Sequence, residues 1–388
     1  MLNRLRSLRL ARWLRTGAAG RWLGGALSAA VLAVAAWGFV AHRGPPAAPT
    51  LPPVALPDTP AGGSSAQPGW AIGNITGGGP SAGGGGSGNV TAASCPASSL
   101  CVVGFASGEL SSSGLPADGT WRMVNASDAP TTGITALACA TSSLCVAADS
   151  AGDILWSTTP NGYGVQPLLW VGAPVDARAA VTGLACPTAA LCVGVASAGN
   201  ILTSASPTGG ATAWRVAHVP SLGPQDHLAG VSCAGTTLCA AAVNGTQGSL
   251  VVTADPSGGA ATWRRVSVPA TWGIKTLSAV SCFAGGCLTV TQGGDVLAWA
   301  SRAAAGSGSG WHLTTLGAPL ASVSCGGPNF CVAAGGNGAF LSRHPLAPHP
   351  HWTTQDLGFY SVVAIASCPS ASFCFLADVG ASTAVYQK

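Results

Sequence analysis

Residues 134–162 read ITALACATSSLCVAADSAGDILWSTTPNG, and the phrase returns as VTGLACPTAALCVGVASAGNILTSASPTGG from Val181 and LAGVSCAGTTLCAAAVNGTQGSLVVTADPSGG from Leu228. Each copy opens on an alternating run into a cysteine, crosses five residues to a second cysteine, and leaves it on a short apolar run. A turn follows, then a second short apolar run ending in Ser or Thr, and then a tryptophan: Trp170, Trp214 or Trp263. Short period-2 runs bounded by turn residues are the pattern of β-strands, so each copy predicts four. They are the run into the first Cys, the run out of the second, the [IL]-L type run, and the strand that carries the Trp.

The same unit extends over most of the chain. Fourteen cysteines form seven local pairs: Cys95/Cys101, Cys139/Cys145, Cys186/Cys192, Cys233/Cys239, Cys282/Cys287, Cys325/Cys331 and Cys368/Cys374. Their first members are 44, 47, 47, 49, 43 and 43 residues apart, and Trp121, Trp311 and Trp352 supply the tryptophan in other copies. Seven units of four antiparallel strands at this period predict an all-β fold, a seven-bladed β-propeller over residues 69–388. The seventh copy stops at Lys388 after its third strand, while an unmatched Trp strand, Gly69-Trp70-Ala71-Ile72, stands at the other end. Pairing the two closes the ring and removes an open edge.

Composition narrows the classes further. The chain has 388 residues, 7% of them charged, with one Glu (Glu109) and two Lys against fourteen Arg. That excludes a coiled coil or long helical bundle, and the Arg excess points to a GC-rich genome. The formal charge of +4 is misleading, because residues 1–43 hold seven Arg and no acid. The remainder carries nine Lys+Arg against twelve Asp+Glu, a net of −3, so nucleic acid is not an expected partner.

The Arg excess sits before an apolar stretch. Residues 1–21 form a basic segment, 22–41 (WLGGALSAAVLAVAAWGFVA) an uncharged span, and 42–68 a Pro/Ala/Gly-rich linker. About 20 apolar residues cross a ~30 Å hydrocarbon core. The Arg bias places the N-terminus in the cytoplasm. The span reads as a signal anchor with an extracytoplasmic propeller on a tether; the alternative is a signal peptide cut after Val34-Ala35-Ala36. The mean hydropathy of +0.42 does not call for further spans, since later apolar runs are short.

In an exported, oxidising compartment, two cysteines facing each other across a hairpin read as a structural disulfide. Zinc would need four converging ligands at C-x2-4-C spacing with His nearby, and redox work a C-x-x-C. Each of the seven pairs is therefore expected to bridge within its own blade, beside the hairpin loop on one rim of the ring.

The phrase S-C-P-[ST]-x-x-x-C, present as Ser94-Cys95-Pro96, Ala185-Cys186-Pro187 and Ser367-Cys368-Pro369, resembles exported seven-fold repeat proteins of GC-rich bacteria. These look like propellers of the Asp-box (BNR, sialidase-like) kind. Thr253 to Gly258, continuing to Trp263, looks like a stretched Asp-box, and Ser204–Gly209 and Ser157–Gly162 match it without the Asp. The resemblance implies that Asp255 accepts hydrogen bonds within its turn and that the Trp packs between blades. Sialidases of this fold add an arginine triad, a Tyr–Glu pair and an acid; this chain has three Tyr and a single Glu. A glycosidase also needs two carboxyl groups roughly 5–9.5 Å apart.

The remaining motifs read as structure. His344, His349 and His351 lie in a Pro-rich hairpin loop with no adjacent carboxylate. Gly83–Gly88 does not join a strand to a helix, so it is no phosphate cradle. The N-x-[ST] sites at Asn74, Asn89, Asn125 and Asn244 fall in Ser/Thr-rich loops. No cofactor is implied. Propeller loops divide between two faces: cysteine hairpins and Trp hairpins on one, and the connections from each Trp strand to the next blade on the other. The connections vary most, and variable loops carry recognition. They hold Asp176, Arg178, Asp226, His227, Trp272, Lys275 and Tyr360, the candidate binding residues. The expected function is a monomeric, membrane-tethered binding scaffold for a protein or cell-envelope glycan. The alternatives are a degenerate sialidase-like glycoside hydrolase and a purely structural envelope protein.

Overall fold

The computed structural model describes residues 69–75, 89–124, 132–161, 170–176, 179–301, 310–336 and 338–388. The basic segment 1–21, the span 22–41 and the linker 42–68 lie outside them, as does Gly83–Gly88. The described residues form seven four-stranded antiparallel sheets. Blade 1 comprises Val90–Ala97, Leu100–Phe105, Leu110–Leu115 and Thr120–Val124; blade 2 Ile134–Thr141, Leu144–Asp149, Asp153–Ser157 and Val171–Pro174. Blade 3 comprises Val181–Thr188, Leu191–Ala196, Asn200–Ser204 and Arg215–His218; blade 4 His227–Cys233, Cys239–Asn244, Ser249–Thr253 and Arg264–Ser267. Blade 5 comprises Ala279–Phe283, Gly286–Val290, Asp295–Ala300 and Trp311–Thr315; blade 6 Ser322–Gly327, Phe330–Gly335, Gly338–Ser342 and Thr353–Asp356. Blade 7 takes Val363–Ser370, Phe373–Asp378 and Ser382–Gln387 from the end of the chain and Trp70–Asn74 from its beginning.

The chain is thus a seven-bladed β-propeller closed by its first strand. Trp70 pairs with Tyr386 and Asn74 with Ser382, antiparallel and without a register shift. The Gln387 amide donates to the Gly69 carbonyl at 2.9 Å and the Ile75 amide to that of Ala381 at 2.9 Å. Antiparallel alternation puts Gly69 and Lys388 on the same rim as the cysteine hairpins.

All seven disulfides join the two cysteines of one blade, with Cα atoms 3.9–4.2 Å apart. In four blades the cysteines oppose each other in the ladder, as in Cys139↔Cys145 and Cys233↔Cys239. In the three Cys-Pro blades the ladder skips both residues, from Ser94 to Ala97, Ala185 to Thr188 and Ser367 to Ser370. Pro96, Pro187 and Pro369 have no N–H to give the ladder, and a bulge absorbs them.

The expected within-blade pairing is observed, and the two members of each pair differ in burial. Cys101, Cys145, Cys192, Cys239, Cys287, Cys331 and Cys374 all have 0% exposure. The reason is the place of the second strand, which other strands of its own sheet flank on both edges and adjacent blades cover on both faces. The first members lie nearer the surface: Cys139, Cys186, Cys233 and Cys325 are half-buried. These seven buried sulfurs therefore belong to the blade core and form no part of a surface site.

Each blade buries both faces of its sheet against its neighbours. Accordingly the second strands are buried at every residue in blades 1, 2, 3, 5, 6 and 7. Seven apolar clusters result, one per seam between blades. Each contains the tryptophan of one blade packed against the preceding one: Trp170, fully buried, meets Leu100, Val102 and Leu110 of blade 1. In blades 2, 3, 4 and 6 this Trp stands one residue before the fourth strand rather than in it.

Hydroxyls stitch the innermost strands. The serine before the first cysteine accepts the amide of the next blade's first cysteine: Ser94 from Cys139, Ser232 from Cys282, Ser281 from Cys325, Ser324 from Cys368 and Ser367 from Cys95, at 2.9–3.0 Å. Blades 2 and 3 have Ala138 and Ala185 there. Their seams are closed instead by Thr135, which donates to the Val181 carbonyl at 2.6 Å, and Thr182, which donates to that of Leu228 at 2.8 Å. Every seam therefore carries at least one such bond, each contributing about 1 kcal/mol. The strands approach closely: a Cβ at Gly183 would lie 2.7 Å from the Cα of Gly230.

Candidate functional site

The inner strands enclose a central channel of about 350 Å³. Each blade contributes three residues, such as Thr91, Ala92 and Ala93, from the strand end nearest the connection face. Among the described residues the lining is Ala, Gly, Ser, Thr, Val, Leu and Ile, with no carboxylate and no cation. The paired acids of a glycosidase do not converge there.

The connection face is polar and braced from below. Asp149, fully buried at the end of its strand, accepts the amides of Ala151, Asp153 and Thr132 at 2.9, 3.0 and 3.2 Å. Asn244, Thr291 and Asp378 do equivalent work in blades 4, 5 and 7, capturing the Leu277, Asp295 and Ser382 amides. Burial, then the neighbouring Asp149, pushes the Asp153 carboxyl above its ordinary range.

Four of the candidate residues fall along one arc over blades 3 to 5. Asp176, buried, accepts from the Asn200 side chain at 2.8 Å, and Asn200 opposes His218 in the ladder. His227 Nδ1 lies 3.2 Å from the Ser197 carbonyl. The adjacent Asp226 receives both guanidinium nitrogens of Arg265, at 2.6 and 3.1 Å, and the Gly223 amide at 2.9 Å. Lys275 is exposed, and its carbonyl accepts from Gly245 at 3.2 Å. Trp272 is half-buried and packs on the seam of blades 4 and 5, a bracing role rather than a free aromatic. Tyr360, 99% exposed, stands apart between blades 6 and 7. Arg178 lies outside the described residues.

Arg265 is the residue that sequence reasoning misplaces. All four arginines that follow the blade Trp are expected to point outward, and Arg122, Arg215 and Arg264 are exposed. Consecutive strand residues face opposite ways, so Arg265 turns inward from Arg264 and reaches Asp226. Asn200 and Gln247 carry no sequence signal of their own; Gln247 contributes its carbonyl to Arg265 at 3.3 Å.

The Arg265 hydrogen bond, aided by the Gly223 amide and the Arg265 and His227 charges against the effect of burial, holds the Asp226 carboxyl below its ordinary range. A lowered acid stabilises the fold above its unfolded value of about 3.9, and the contribution disappears as pH falls through the lower folded value. Asp226→Asn is expected to cost about 1 kcal/mol at neutral pH. The cost should shrink as pH falls below the ordinary carboxylate range, in urea titrations of both proteins.

No family model matches the chain, and no curated protein matches it. Solved structures do. The WD40 repeats of RRP9 superpose with a TM-score of 0.63 at 12% identity, over 83% of this chain and 98% of that one. YCF48 bound to a D1 peptide gives 0.61 at 11%, over 82% and 97%, and the WD40 β-propeller domain of Doa1 0.58 at 8%, over 78% and 94%. These likenesses establish the propeller fold alone.

Proposed function

We propose that this protein is a non-enzymatic binding scaffold, a propeller tethered outside the cytoplasm by residues 22–41, which captures a protein partner on its connection face. The observation that carries the reading is the arc Asp176–His227–Asp226–Arg265–Lys275, with Tyr360 beyond it. The arc is held on loops pinned by buried side chains. Rigid polar and aromatic groups of this kind bind at low ordering cost. YCF48 bound to a D1 peptide supplies an example of a propeller holding a peptide. Gly69 lies on the cysteine rim, opposite the connection face. Asp255, which accepts from Gly258 at 3.1 Å and Ser257 at 2.6 Å, supports kinship with Asp-box repeats for that hairpin.

The test is a photo-crosslinking amino acid at position 360, with position 98 on the opposite face as control. A discrete adduct from 360, lost in His227→Ala/Lys275→Ala, supports the proposal. Equal adducts from both positions, or one indifferent to the double variant, overturns it. The glycosidase alternative predicts turnover of fluorogenic glycosides abolished by Glu109→Gln, and that result would replace the present reading.

A further inference from the structure

Cavities also open on the other face. Two adjacent clefts lie among the cysteine hairpins and Trp hairpins, one of about 610 Å³ between blades 3 and 4 and one of about 730 Å³ between blades 4 and 5. Both fall in the size range of ligand sites. They flank one element, the hairpin between the third and fourth strands of blade 4, which gives Ser257 to the first and Asp255 and Thr262 to the second.

Their chemistry repeats. Each cleft has one arginine, the residue after the blade tryptophan: Arg215 in the first and Arg264 in the second. Both are exposed, and neither makes a salt bridge; Arg265–Asp226, on the far face, is the ion pair found among the described residues. Around Arg215 stand the hydroxyls of Thr188, Ser206, Thr212, Thr236 and Ser257 with no carboxylate, over a floor that includes Leu191 and Ala213. Around Arg264 stand Thr237, Thr262 and Ser301, with the edge of Trp299 in the wall. Asp255 also lines this second cleft and spends one carboxylate oxygen on Ser257 and Gly258.

We propose that these two clefts bind an acidic oligosaccharide, with one anionic group on each of Arg215 and Arg264. Hydroxyl-rich walls match sugar hydroxyls, methyl and indole edges match the C–H faces of sugar rings, and the unpaired guanidinium selects a carboxylate or phosphate. Two equivalent clefts on neighbouring blades let one chain engage both, which raises avidity without new contacts. The Arg215 cleft is the stronger, since Asp255 opposes an anion in the other. The inference does not depend on the partner-binding role of the connection face.

The test is calorimetric titration of the full-length protein in detergent with hexagalacturonate, its fully methyl-esterified form, and a phosphorylated oligomannoside of the same length. One of the two acidic probes is expected to bind, and which one does identifies carboxylate or phosphate as the group. The neutral ester is expected not to bind. Arg215→Ala should weaken binding by roughly tenfold and Arg264→Ala by less, with the double variant abolishing it. His312→Ala, exposed on the outer strand of blade 5 and outside both clefts, should leave it unchanged. Binding of the ester as strong as that of the acid overturns the proposal. So does indifference to Arg215→Ala, or no binding of either acidic probe at millimolar concentration. Both arginines are solvent-facing, so unchanged thermal unfolding of the variants separates lost binding from lost fold.

Discussion

A chain beginning at Thr76 is expected to lose its cooperative fold and to associate, whereas one beginning at Gly69 folds as the full ring. The deletion takes away a whole outer strand. Trp70 is 4% exposed, packs on Tyr386 with ring centroids 5.3 Å apart, and donates its indole N–H to Gln355 at 3.2 Å. Removing a buried tryptophan side chain alone costs about 3–5 kcal/mol, so Trp70→Ala is a milder version of the same lesion. The deletion also strips the Ser382–Gln387 strand of its partner and exposes an unpaired edge, a template for association. Urea unfolding and size-exclusion chromatography of the two truncations decide the matter. A monomeric Thr76 chain with an unchanged urea midpoint would show that the closing strand is dispensable.

Complete reduction of the disulfides is expected to unfold the ring. Closing a six- or seven-residue loop removes about 2 kcal/mol of unfolded-chain entropy. Seven such closures together are comparable with the whole stability of a typical domain, about 5–15 kcal/mol. The second cysteine of every pair, from Cys101 to Cys374, is fully buried, so reductant reaches that sulfur only when the blade opens. A single-blade variant, Cys139→Ala/Cys145→Ala, should lower stability by about 2 kcal/mol and leave the other six bridges intact. Peptide mapping should recover only within-blade pairs. A urea midpoint insensitive to strong reductant, or a peptide linking Cys145 to Cys186, would refute this account.

The ring is legible in the sequence because its determinants are local and repeated. Cysteine pairs, turn glycines and the blade tryptophan recur at a nearly constant period, and the orphan strand at Trp70 matches the strand missing after Lys388. Burial within a pair is less legible, since Cys192, Cys287 and Cys331 differ from their partners only in lying on a strand covered on both faces. The chemistry of the faces is harder still, because it depends on which side chains cross a seam. Asp226 meets Arg265 from 39 residues away, and nothing near either residue marks the pair. Strand parity holds part of the answer: Arg264 and Arg265 cannot both face solvent. The serine of the Ser-Cys phrase looks like punctuation and proves to be the acceptor that joins neighbouring blades. The clefts at Arg215 and Arg264 are hidden for a related reason, since each is walled by two blades and belongs to neither sequence unit.

The closing strand also sets an order of events. Residues 70–74 are made before any complete blade, yet their partners at 382–387 follow all six other blades. Throughout synthesis this strand waits while six later sheets assemble, and its docking spans the whole ring. So long a separation between pairing segments slows the concluding step. It leaves a nearly finished intermediate with one bare edge as the species most in need of a chaperone.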